Sequence, residues 1–200
     1  MIKIGEKLNS SIPSTLEAMK NADAARLKEL ITLQSGAGAD FLDINTALCD
    51  NELEMQKLLI ELTLQNSQCG IVIDTPDPSI AEKAAEYAKG RPLILNSVTA
   101  NERHELFDIA KKYGAGVVCL PIGEGGIPRT PEDRLVSAET IIEKARLAGI
   151  EKEKLYIDIL AEALAVDSES ALVSLSFLSL LREKHPEVNT TCGLSNISFG

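Results

Sequence analysis

Histidine, basic charge, paired cysteine and long apolar runs are all scarce in this sequence, and each scarcity removes a class of function. Only two histidines occur in 200 residues. His104 and His185 fall on predicted helices, away from strand ends, and are expected on the surface. A Ser-His-Asp triad or a histidine-based metal site is therefore poorly supported. The four cysteines, Cys49, Cys69, Cys119 and Cys192, are far apart and form no Cys-x-x-Cys pair. Three of them sit in or beside predicted strands, which reads as reduced core cysteine in a cytoplasmic protein rather than disulfide or zinc. Lys and Arg number 20 against 30 Asp and Glu, a formal net charge of −10. That balance argues against nucleic acid and against an anionic membrane surface as partners. No apolar run approaches the roughly 20 residues of a membrane helix. The opening Met1-Ile2-Lys3-Ile4-Gly5-Glu6 lacks the basic-then-apolar order of a signal peptide, so none is expected.

What is present is ordinary globular material, 44% hydrophobic and 25% charged, enough for one sizeable core. The most informative stretch is Gly70-Ile71-Val72-Ile73-Asp74-Thr75. A continuous β-branched run bounded by Pro76-Asp77-Pro78 reads as a strand buried on both faces. It ends on a carboxylate, which at the rim of a core needs a partner. The same pattern recurs in Phe41-Leu42-Asp43-Ile44-Asn45, Leu93-Ile94-Leu95-Asn96, Leu155-Tyr156-Ile157-Asp158 and Gly193-Leu194-Ser195-Asn196.

Taken in order, the chain predicts seven β/α alternations. Strands are expected at 2–8, 40–45, 70–75, 92–97, 116–122, 154–160 and 189–197. A first helix, capped by Ser11 or Ser14, runs to about Ser35, interrupted or bent near Asn21-Ala22-Asp23. Further helices are expected at about 52–66, 78–89, 102–113, 131–148 and 168–184. Thr130-Pro131-Glu132-Asp133 reads as an N-cap, a first-turn proline and a capping-box acid. The glycine-rich loop from Gly123 to Gly126 reads as solvent-facing. Alternation with short connections means a parallel sheet with helical crossovers. The predicted fold class is α/β, a (β/α)8 TIM barrel of one domain over residues 1–200 that lacks its last β/α repeat. An open doubly wound sheet would carry a glycine-rich phosphate loop after its first strand, and Gly5-Glu6-Lys7-Leu8-Asn9 is not one.

The strand ends offer Glu6, Asn9, Asp43, Asn45, Asp74, Asn96, Asp158 and Asn196. Acids interleaved with amides suit a neutral heterocycle. A carboxylate accepts two parallel hydrogen bonds from an amino-pyrimidinone edge, and an asparagine both donates and accepts. Seven motifs then appear in one order: Ile4-Gly5-Glu6-Lys7-Leu8-Asn9, Leu42-Asp43-Ile44-Asn45, Ile73-Asp74-Thr75, Leu95-Asn96-Ser97, Gly126-Ile127-Pro128-x-Thr130-x-Glu132-x-Arg134-Leu135, Leu155-Tyr156-Ile157-Asp158 and Gly193-Leu194-Ser195-Asn196. With them the chain resembles, along its whole length, the pterin-binding methyltransferases that pass a methyl group from methyltetrahydrofolate to a corrinoid protein.

The resemblance implies a barrel with the pterin across its mouth. Asp74, Asn96 and Asp158 would hold the ring, and Asn196 would reach the nitrogen that carries the methyl group. Glu6, Asn9, Asp43 and Asn45 would surround them. The substrates implied are methyltetrahydrofolate or tetrahydrofolate and the cobalamin cobalt of a corrinoid partner protein, and a homodimer is implied. Two rivals stay open. A dihydropteroate synthase-like enzyme should carry lysine and arginine near the seventh strand end, where Ser195-Asn196-Ile197-Ser198 stands. The other rival is a non-catalytic module that binds folate or a corrinoid protein. A barrel without its eighth strand should expose sheet edges at strands one and seven. Such a chain is expected to dimerise, to aggregate, or to be part of a protein of ~260 residues.

Overall fold

Apolar runs closed by Gly, Pro, Asn or Asp become strands, and the amphipathic stretches between them become helices. The computed structural model describes residues 1–163 and 169–198. In chain order these give β1 (Ile4–Asn9), α1 (Pro13–Lys20), α2 (Ala24–Gly36), β2 (Phe41–Asn45), α3 (Glu52–Asn66), β3 (Gly70–Asp74), α4 (Pro78–Tyr87), β4 (Leu93–Thr99), α5 (Glu105–Tyr113), β5 (Gly116–Leu120), α6 (Pro131–Ala148), β6 (Leu155–Asp158), α7 (Ser170–Lys184) and β7 (Asn189–Thr191). The expected start of the last helix, at 168, lies outside the described residues. The chain divides into two compact units, residues 1–96 with 112–115, and residues 97–111 with 116–200.

In the first unit β1, β2, β3 and β4 pair side by side, all parallel. Ile71, Val72 and Ile73 of β3 are at most 1% exposed, as a strand covered on both faces requires. Burial of each such side chain contributes on the order of 2 kcal/mol. Gly70 opens this strand because nothing larger fits. A Cβ there would lie 2.4 Å from the Phe41 ring and 2.9 Å from the Pro92 carbonyl oxygen. β1 carries a bulge. Gly5 pairs with Leu42, but Leu8 pairs with Ile44, so β1 spends one residue more than β2 over this interval. The Lys7 N–H is taken by Gln34 Oε1 at 2.8 Å. In the second unit β5, β6 and β7 pair in parallel, Val117 opposite Leu155 and Tyr156 opposite Asn189.

The interruption expected near Asn21-Ala22-Asp23 is there and divides the first helix in two, because Ala22 takes φ 48° and Asp23 restarts the chain by accepting from the Arg26 N–H at 3.0 Å. Several expectations need correction. Neither Ser11 nor Ser14 caps α1. Ile12 holds that position without a side-chain bond, and Pro13 removes one N–H that would have needed a partner. β7 stops at Thr191, and residues Leu194–Ser198 coil into a 3-10 turn, with the Asn196 N–H on the Gly193 carbonyl at 3.0 Å. Gly, Ser and Asn hold an extended ladder weakly, so the strand is shorter than the apolar motif suggested. The two histidines are half-buried rather than on the surface. His104 stacks on Phe107 with Nε2 3.0 Å from the Thr99 carbonyl, and His185 ends α7 with Nε2 3.3 Å from Glu139. The Thr130 cap holds, accepting from the Asp133 N–H at 3.1 Å while its hydroxyl donates to the Asp133 carboxylate.

Candidate active site at the strand ends

The ladder register of the first unit places four polar residues in one row. Asn9 stands opposite Asn45, Asn45 opposite Asp74, and Asp74 opposite Asn96. Neighbours in register share a face, and so does Asp43, two residues before Asn45. The bulge in β1 is what puts Asn9 in this row. An unbroken count from Gly5 opposite Leu42 would have set it against Thr46.

Direct bonds tie the row together. Asn45 Nδ2 donates to Asp74 Oδ2 at 2.7 Å. Asn45 Oδ1 accepts from Ser10 Oγ at 2.9 Å and from the Ala47 N–H at 3.2 Å, which fixes the amide's orientation. Ser10, 1% exposed, in turn accepts from the Leu48 N–H at 3.2 Å. Asn96 Nδ2 approaches Asp43 Oδ2 at 3.5 Å, a long contact. Asn9 Oδ1 accepts from the Ser11 N–H at 2.8 Å and so shapes the turn after β1.

The two acids of this face differ in environment. Asp43 is 9% exposed, while Asp74 is half-buried at the strand tip. Burial, and then the charges of Asp74 and Glu6, push the Asp43 carboxyl well above the usual carboxylate range, against the opposing bond from Asn96. Asp74 thus takes a short amide bond at the strand tip, whereas burial disposes Asp43 to hold its proton more tightly despite the long contact from Asn96. Glu6 is exposed on the bulge and acts on Asp43 through its charge.

In the second unit Asp158 ends β6, half-buried, and its Oδ1 accepts from the Leu160 N–H at 2.7 Å. Leu160 takes φ 55°, an unusual conformation for a branched side chain. Asn196 is exposed on its 3-10 turn, with its amide folded over Gly193, where an added Cβ would lie 2.8 Å from Nδ2. Among the sequence-predicted residues, the first unit brings together Asn9, Asp43, Asn45, Asp74 and Asn96. Asp158 and Asn196 belong to the second unit.

Two residues were given no role by the sequence, Ser10 and Arg134, although Arg134 stands in one of the seven motifs. Ser10 gave no signal beyond following Asn9. Arg134 did give one, since it continues the buried stripe of α6 formed by Leu135, Ala138, Ile141, Ile142 and Ala145. A charged residue on such a stripe must carry its own set of partners. Among the described residues no group of three or more His, Cys, Asp or Glu is placed to hold a metal ion. No disulfide joins the four cysteines; Cys69 and Cys119 are buried, while Cys49 and Cys192 are half-buried. No helix of the described residues is long and apolar enough to cross a membrane.

A methylcorrinoid:tetrahydrofolate methyltransferase of Eubacterium limosum is 31% identical over 206 residues, covering 100% of this chain and 75% of the relative. A methionine synthase of Mycobacterium leprae is 28% identical over 214 residues, and there this chain spans 18% of the relative's length. A dihydropteroate synthase of Xanthomonas albilineans, solved with indole-2-carboxylic acid and 6-chloroguanine, superposes with a TM-score of 0.71 at 23% identity. That alignment covers 97% of this chain and 72% of the other, and bears out the α/β reading of the fold. The family described as pterin binding enzyme matches residues 5–200, and the chain belongs to that family.

Proposed function

We propose that this protein exchanges a methyl group between a tetrahydrofolate and the cobalt of a corrinoid carried by a partner protein. The observation that supports this most is the row Asn9, Asn45, Asp74 and Asn96, in which Asn45 fixes the Asp74 carboxylate at 2.7 Å. A carboxylate held in this way accepts from the amino-pyrimidinone edge of a pterin, and Asn96 beside it supplies a donor and an acceptor. Asp158 holds the same ring in this reading, and Asn196 meets the methyl-bearing nitrogen. Glu6, Asn9, Asp43 and Asn45 shape and charge the surroundings. The proposed frame is one (β/α)8 domain acting as a homodimer. A reducing, cytoplasmic setting belongs to this reading, with Cys69 and Cys119 buried in the core.

The chemistry proposed is a displacement at the methyl carbon. In the forward direction the carbon–nitrogen bond of methyltetrahydrofolate breaks as cobalt(I) supplies the electron pair of the new carbon–cobalt bond. The departing nitrogen takes a proton. Asn196 cannot supply that proton, but its oxygen accepts a hydrogen bond from the protonated nitrogen and so favours the charged transition state. The proton comes from water or an extended hydrogen-bonded network. The Eubacterium relative's name writes the exchange from corrinoid to tetrahydrofolate. The same residues serve either direction, because both share one transition state.

The test is methyl transfer from methyltetrahydrofolate to reduced cobalamin, followed by the cobalt spectrum. Asn196→Ala should lower the rate more than it weakens folate binding, because its contact strengthens as the nitrogen becomes charged. Equal loss of affinity with no further loss of rate removes that role. Folate binding without any transfer would instead make the protein a binding module, and formation of a pterin–aminobenzoate product would make it a synthase. The second outcome is the one the dihydropteroate synthase fold raises, although the seventh-strand end carries Ser195-Asn196-Ile197-Ser198.

A further inference from the structure

Arg134 is 1% exposed and is the largest of the fully buried side chains. Its guanidinium, projecting from α6, is surrounded by acceptors from three other segments. Nε donates to the Pro128 carbonyl at 3.0 Å, in the loop before α6. Nη1 donates to the Ile159 carbonyl at 2.8 Å, the Leu160 carbonyl at 3.1 Å and Ser174 Oγ of α7 at 2.9 Å. Nη2 lies 3.5 Å from the Glu162 carboxylate. Ser174 Oγ also donates to the Leu160 carbonyl at 3.2 Å.

One peptide group links this cluster to the proposed site. The amide between Ile159 and Leu160 receives Arg134 on its carbonyl, and its N–H donates to Asp158 Oδ1 at 2.7 Å. A cation on the carbonyl of a peptide strengthens what its N–H donates. The same contact braces Leu160, a branched residue at φ 55° that surrounding structure must hold in place. A lysine offers one compact ammonium, without the planar fork that reaches several carbonyls at once.

We propose that Arg134 is a positioning residue for folate binding, acting through the Ile159–Leu160 peptide to fix the carboxylate of Asp158. This rests on the reading of Asp158 as a pterin-binding residue. The account requires the arginine's geometry as well as its charge, and it requires Arg134 and Asp158 to act as one unit while Arg134 and Asp74 act independently.

The experiment compares wild type, Arg134→Lys, Asp158→Asn, Asp74→Asn and the double variants by calorimetry with methyltetrahydrofolate. Amide hydrogen exchange at Leu160 and circular dichroism are read on the same samples. Arg134→Lys should raise the Kd about tenfold, the scale of one charge-assisted hydrogen bond. It should also speed Leu160 exchange while the dichroism stays native. Added to Asp158→Asn it should cost little more, and added to Asp74→Asn it should multiply the loss. If Arg134→Lys does not fold, Ser174→Ala carries the test, with a smaller change in the same two readouts. Native Arg134→Lys or Ser174→Ala protein with unchanged Kd and unchanged Leu160 exchange overturns the proposal, and so does full additivity of Arg134→Lys with Asp158→Asn. A wild type that binds no folate overturns the functional reading itself, and the Leu160 exchange still decides whether Arg134 holds the turn.

Discussion

Asp74 and Asp43 are the same residue type on the same face of one sheet, yet their surroundings give them opposite tasks. Asp74 receives the Asn45 amide and stands at the tip, so it is suited to accept. Replacing it with Asn exchanges an ionised acceptor for a neutral one. Asp74→Asn is expected to weaken folate binding by about 2–3 kcal/mol. Calorimetry checks this, and an unchanged affinity would take Asp74 out of the site. Asp43 is buried beside the charges of Asp74 and Glu6, so the folded protein holds its proton more tightly than the unfolded chain, where it titrates near 3.8. Upward from about pH 4 the native state therefore binds more protons than the unfolded state, and this group's contribution to stability falls as pH rises. Asp43→Asn should raise the melting temperature at pH 7 and flatten that decline. Thermal melts across about pH 4 to 8 measure it, and an unchanged slope would mean that Asp43 is not the group responsible. The acids and amides themselves were legible in the sequence because each closes an apolar run. Their pairing was not, since Asn45 meets Asp74 29 residues away and Asn96 approaches Asp43 across 53.

At the scale of elements, strands covered on both faces were readable because little else produces Gly70-Ile71-Val72-Ile73-Asp74. What remained hidden were features decided by neighbours. The β1 bulge depends on Gln34 of α2, which supplies an acceptor to the Lys7 N–H that the ladder leaves over. The short β7 depends on a turn closing at Gly193. The bulge also yields a test by deletion. Glu6 and Lys7 together stand where a regular strand would place a single residue opposite Asp43. Removing either one leaves Leu8 opposite Ile44 and Asn9 opposite Asn45. Removing Lys7 leaves Glu6 facing Asp43, and like charges directly opposite each other are destabilising. Removing Glu6 leaves Lys7 there, which favours the ionised acid. The decline of stability with pH should be shallower in the Glu6 deletion than in the Lys7 deletion. Equal slopes would overturn the register account.

At the scale of the molecule, the alternation of strand and helix was enough to announce the α/β class, and the likeness to a dihydropteroate synthase at a TM-score of 0.71 agrees with it. Which half of the chain carries each residue was not readable, because strand spacing says nothing about how the chain divides into compact units. The register row has a thermodynamic consequence. Asn9, Asn45, Asp74 and Asn96 come from four separate strands, and the unfolded chain holds no fragment of the site they form. A ligand of that row binds the native state alone, and mass action adds RT ln(1 + L/Kd), with L the free ligand concentration, to the stability of the folded unit. Methyltetrahydrofolate at about one hundred times its Kd should stabilise the protein by about 2.7 kcal/mol. Calorimetric scans should show this as a rise in melting temperature on the order of 10 °C. At the same ligand concentration the rise should shrink in Asp74→Asn, and a melt indifferent to folate would mean that the row does not bind it. Folate would then serve this chain twice, as a substrate of the folded protein and as a weight on the folding equilibrium.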